Sequence, residues 1–112
     1  MEFGLVAIAL GVGYVLHAFF RPRRAPLDVA LEHIENGAPV RAECVAEQAY
    51  RAATRRPQSL AAGEAGVDFA LVLMAVGDMR RARTVLETAV TVLATHGVDL
   101  GRAEALQEKL SV

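Results

Sequence analysis

Gly63 to His96 reads GEAGVDFALVLMAVGDMRRARTVLETAVTVLATH, and its two halves decide the fold. In the first half the run Phe69 to Gly77 is apolar on every side, yet it is bounded by Asp68 and Asp78. Nine residues cannot cross a bilayer core, so the run predicts the central helix of a bundle, enclosed by its neighbours. The second half is amphipathic: Met79, Ala82, Leu86, Ala89 and Leu93 recur at steps of three and four and must pack on a partner helix. Between the halves, Gly77 suits a helix stop and Asp78 an N-cap. Gly63 and Gly66 interrupt the start of the first half, predicting either a loop there or a close approach of another backbone.

Outward from this pair, the same punctuation recurs. Pro26 and Pro39 suit first helical positions, Gly37 and Gly97 suit stops, and Asp99 suits an N-cap. Five helices follow: Leu27 to Asn36, Pro39 to Arg55, Leu60 to Val76, Met79 to Thr95 and Leu100 to Leu110. The fold class is all-α, because β-branched and aromatic runs bounded by turns do not recur. With 54% hydrophobic residues but only 5% aromatic and no Trp, the core is to be built from Ala, Val and Leu on closely approaching helices. The formal net charge of −1 argues against general nucleic-acid binding. A lone cysteine, Cys44, builds neither a disulfide framework nor a zinc site, and its expected place is as a small buried residue.

The first twenty residues have a different character. Phe3 to Phe20 carries no acid, Lys or Arg, and eighteen helical residues cover about 27 Å, close to a bilayer core. A transmembrane helix is expected over residues 1–20, then a basic, proline-containing linker over 21–26, then a cytoplasmic helical domain over 27–112. A cleaved signal peptide is the competing reading, but the cationic n-region and a small-x-small cleavage site are missing. Arg21, Arg23 and Arg24 place the following domain in the cytoplasm by the positive-inside rule and can meet anionic headgroups at the membrane surface. Ala7 with Gly11 and Ala9 with Gly13 form small-xxx-small pairs suited to packing on another membrane helix, while His17 suits the interface. Lys109 is the sole lysine among twelve cationic residues, a bias of GC-rich bacterial genomes, so a bacterial inner membrane with the N-terminus outside is the expected location.

An internal repeat joins the helices. Gly37, Ala42, Ala46, Ala49 recurs as Gly77, Ala82, Leu86, Ala89, 40 positions on and with identical spacing. A glycine between two helices, then small residues where the second crosses the first, is the packing pattern of a helical-hairpin repeat. On these residues the chain resembles the tetratricopeptide repeat family, most clearly over Gly63 to His96, where Leu73, Gly77, Ala82, Leu86 and Ala89 fall on the motif's hydrophobic, turn and small-residue positions. A fainter copy covers about Arg23 to Arg56. The motif's Trp and Leu-Gly pair are missing from both copies, no proline closes the second, and the offset exceeds the usual repeat of about 34 residues. A generic helical bundle is the alternative.

The resemblance implies a protein-binding scaffold whose concave groove is lined by the first helix of each hairpin. Here that groove would draw on Glu32, His33 and Asn36 and on Asp68, Leu71 and Val72, with the final helix as a polar-faced cap. Separately, Arg80, Arg81 and Arg83 crowd the start of the fourth helix, against the macrodipole, at a few tenths of a kcal/mol each. They read either as a patch for an acidic partner or as a solvated face with Arg83 paired to Glu87. Glu32, His33 and Glu35 lack the spacing of a metal site, Cys44 and His96 lack acid or base companions, and no phosphate loop is evident. No enzymatic activity, cofactor, metal or small-molecule substrate is expected. The expected role is a membrane-anchored protein–protein interaction adaptor, or accessory subunit of a membrane complex, binding protein partners beside the lipid bilayer. The alternative is a structural subunit whose transmembrane helix is the main packing element; a third reading is an exported domain released by cleavage.

Overall fold

The computed structural model of the chain describes residues 25–111. The span read at Phe3 to Phe20 and the arginines at 21, 23 and 24 lie outside them, and no helix among the described residues is long and apolar enough to cross a membrane. The described part is all-α: α1 (Pro26–Glu35), α2 (Pro39–Ala53), α3 (Leu60–Ala75), α4 (Met79–Thr95) and α5 (Gly101–Leu110). Each expected helix is present within two residues of its expected ends.

Local chemistry accounts for those ends. Pro26 and Pro39 begin α1 and α2, where the missing N–H would find no helical partner anyway. Gly37 and Gly77 adopt φ of +75° and +92°, and in each turn the following amide closes back on the last helical turn: Ala38 N–H on the His33 carbonyl and Asp78 N–H on the Leu73 carbonyl, both at 2.8 Å. These bonds satisfy carbonyls the helix leaves open, and the left-handed backbone suits glycine. The carboxylate of Asp78 then accepts from Arg81 N–H at 3.2 Å and starts α4. Ser59, not foreseen as a cap, does the same for α3 through the Ala62 N–H at 3.1 Å. Asp99 accepts from Gly101 N–H at 2.8 Å, but the helix begins one residue later than expected, with Leu100 in the cap position.

The chain therefore forms two hairpins, α1/α2 and α3/α4, with α5 laid against the second. As its all-round apolar run requires, α3 is central and touches all four other helices. It buries Phe69, Ala70, Val72 and Leu73 almost completely, against Ala82, Leu86 and Ala89 of α4. Of the two readings of Gly63 and Gly66, close approach holds and the loop does not. A Cβ on Gly66 would stand 2.7 Å from the Ala89 Cβ, and one on Gly63 would stand 2.8 Å from Leu93, so the bare glycine backbone lets α4 sit closer than any side chain permits.

Candidate partner-binding groove

Between the hairpins a groove of about 220 Å³ opens. Pro26 and Leu27 of α1 form one wall, Ala46 and Ala49 of α2 and Phe69 and Val72 of α3 form the base, and Ala61, Ala65, Glu64 and Asp68 of α3 form the other wall. It exists because the residues that face each other here are short: alanines on α2 and α3 cannot fill the space that leucines would. On the other side of the Glu64 and Asp68 ridge lies a wider hollow of about 520 Å³, bordered by Val67, Leu93, Val98, Asp99 and Ala103 and crossed by an ion pair from Arg102 of α5 to Asp68.

The expected groove residues are divided by this geometry. Asp68 is half-buried on the rim, and Leu71, also half-buried, packs against the core. Val72 belongs to the base of the groove with Asp68 on its rim, and its side chain is wholly enclosed, so it supports the groove from beneath. Its place on the apolar run of α3 faces α1 and α2 across the hairpin junction. Glu32 and Asn36 border a separate, open face of α1 with Asp28, Leu31 and Glu35, while the His33 carbonyl serves the Gly37 turn. Glu32, His33 and Asn36 therefore do not converge with Asp68 in one concavity; the start of α1 lines the groove in their place.

Nor do Arg80, Arg81 and Arg83 form one patch. Arg81 turns toward the first hairpin, with Nη1 3.3 Å from Glu43 Oε1 and Nη2 3.1 Å from Glu47 Oε1, and its guanidinium lies 5.0 Å from the centre of the Phe69 ring. Phe69 in turn meets the Tyr50 ring at 5.1 Å. Arg51 reaches the same Glu47 oxygen at 2.8 Å. The hydrogen bond from Arg81 holds the Glu47 carboxyl below its usual range; partial desolvation opposes this, and the charges of Arg81 and Arg51 add to it. Arg83 donates to the Leu110 carbonyl at the end of α5, satisfying an open helix terminus, and the expected pair with Glu87 is not formed. Arg80 alone of the three is exposed without a side-chain hydrogen bond or ion pair among the described residues.

Cys44 is also corrected, since it is exposed. Ala42 and Ala46, one turn apart, take the inward stripe of α2, and a residue midway between them falls on the opposite side. His96 ends α4 with Nε2 2.6 Å from the Gln58 carbonyl, a tie between loops. No group of three His, Cys, Asp or Glu that could hold a metal ion occurs among the described residues.

Sequence reasoning missed Glu64, Ala65, Ala61, Pro26, Leu27 and Arg102. One signal was available: Glu64 and Asp68, four apart, are the only charges on α3 and thus mark the single strip of that helix left uncovered. No family model matches the chain, and neither a curated protein nor a solved structure matches it.

Proposed function

We propose that the chain is a membrane-anchored adaptor: a transmembrane helix over Phe3 to Phe20 holds two tetratricopeptide-like hairpins at the cytoplasmic face, and the groove between them receives a segment of a partner protein. The observation that carries this reading is the groove itself. At about 220 Å³ it falls below the usual range of about 300–1,000 Å³ for small-molecule sites, yet it holds one or two aliphatic side chains presented by a polypeptide. Two hairpins turning at glycines 40 positions apart, with a fifth helix over the second, support the repeat reading. Tethering confines the groove beside the bilayer, raising its effective concentration for membrane-associated partners without any chemistry.

The test is site-specific photo-crosslinking in intact membranes, with the photoreactive residue at Ala65 in the groove or at Thr84 on the exposed side of α4. A defined protein captured from position 65 and not from position 84 is the expected result. Equal capture from both positions, or none from either, removes the adaptor reading. The small-residue pairs Ala7/Gly11 and Ala9/Gly13 favour a second reading, in which the span itself is the packing element of a membrane assembly. Replacing the span by an unrelated Leu-rich helix separates the two: retained capture at position 65 supports the adaptor, and loss with intact insertion supports the packed span.

A further inference from the structure

Charge is divided between the helices of this domain. α1 and α3, which flank the groove, carry Asp28, Glu32, Glu35, Glu64 and Asp68 and no Lys or Arg. Among the described residues the cations lie elsewhere: Arg80, Arg81 and Arg83 on α4, Arg41 and Arg51 on α2, Arg55 and Arg56 in the loop after it, and Arg102 and Lys109 on α5. Among the described residues no cation lines the groove. Its base is apolar and small, whereas its rim is acidic.

We propose that the occupant of this groove is a cationic segment of a partner protein, one that seats a small aliphatic side chain on the alanine floor and sets a neighbouring Lys or Arg on the Glu64 and Asp68 rim. This rests on the adaptor reading and specifies its partner's chemistry. Three features point the same way. Glu64 is exposed and has no hydrogen bond or ion pair among the described residues, so its carboxylate is available. Asp68, which borders both hollows, accepts a guanidinium from Arg102 on Oδ1 only, and its Oδ2 has no hydrogen bond among the described residues. The domain also contains an internal example of the same docking: α5 buries Ala103 and Leu106 in the core while its Arg102 pairs with Asp68, so α3 accepts an apolar side chain and a neighbouring arginine together on its other flank. An acidic segment entering the groove would meet Glu64 at close range with no countercharge among the described lining residues, and like charge excludes wrong partners as opposite charge attracts right ones.

The experiment uses the full chain in nanodiscs of zwitterionic lipid and two fluorescein-labelled probe peptides, one of alternating Ala and Lys and one of alternating Ala and Glu. Anisotropy is expected to show at least tenfold tighter binding of the Lys peptide, weakened about tenfold by Glu64→Gln and also by Ala65→Leu, which fills the groove, and weakened further as salt rises. Arg80→Gln, on a different face, is expected to leave binding unchanged and serves as the folded control. Equal binding of the two peptides, or indifference to both groove substitutions, overturns the proposal. Self-association of the full chain that Glu64→Gln abolishes also overturns it, by making a second copy the occupant. If position 65 captures a defined partner whose crosslinked segment is acidic or neutral, the adaptor reading survives and the cationic specificity fails.

Discussion

The two hairpins share a plan and differ in content. Each turns at a glycine of positive φ, and each second helix presents small residues at matching positions. Yet the first hairpin buries only Ala30, Ala42 and Ala46, whereas the second buries fourteen residues, Phe69, Leu73, Leu86 and Leu93 among them. Apolar burial contributes about 25 cal/mol per Å², so alanines in place of leucines leave the first hairpin with little cohesion of its own. It is held to the second by the Phe69 and Tyr50 contact and by Arg81 across Glu43 and Glu47. The same short side chains that weaken it leave the groove open. The second hairpin thus supplies most of the core, and the groove lies where the alanine-lined first hairpin meets it.

The largest expected effect tests that junction. Phe69→Ala removes a ring that is 1% exposed and joins both hairpins, at a cost of about 3–5 kcal/mol, enough to unfold much of so small a domain. Thermal melting by circular dichroism is expected to show loss of the cooperative transition; a shift of a few degrees would mean that the ring is not the joint. Next comes the α3/α4 crossing. Gly66→Ala drives a Cβ against the Ala89 Cβ, where neither can rotate away, so overpacking of about 1–3 kcal/mol outweighs the gain in helix propensity of about 1 kcal/mol. Gly63→Ala meets the Leu93 Cγ and Cδ2 at 2.8 Å, a side chain rather than a Cβ fixed to the backbone, so its denaturant midpoint is expected to move less than that of Gly66→Ala.

Gly37→Ala and Gly77→Ala sharpen the comparison differently. Neither added Cβ touches anything within 4 Å, so each costs only the left-handed backbone, about 1–2 kcal/mol. Equal losses in global stability mean that the hairpins unfold together; a smaller global loss for Gly37→Ala means that the first hairpin opens by itself. The smallest effect is Arg81→Met, expected to lower stability at neutral pH less than any of the glycine substitutions, as for other half-exposed ion pairs. Because the Glu47 carboxyl is lowered in the folded chain, its contribution is full above the ordinary glutamate value of about 4.3 and is lost as pH falls through the lowered one. The difference between parent and variant is therefore expected to close in acid, and urea titrations at pH 7 and pH 3 would show it.

The helices were legible in the sequence because their punctuation is local: proline at the start, glycine at the stop, aspartate at the cap. The apolar run of α3 identified the central helix for a similar reason, since only complete enclosure suits it. What the sequence did not reveal is where side chains of opposite hairpins meet. Arg81 read as part of a surface patch because its carboxylate partners lie 34 and 38 positions away. Cys44 read as a buried residue because its place depends on the rotation of a helix about its axis, which alanine-rich stretches specify weakly. The groove was invisible because it is made by what those alanines do not fill.

Hydrogen exchange of backbone amides on the full chain tests the division between the hairpins most directly. The slowest amides are expected between Phe69 and Leu73 and between Val85 and Ala89, with those of α1 exchanging faster by local opening. Uniform protection across α1 to α4 would contradict the account, because the first hairpin would then be as cohesive as the second despite its alanine core.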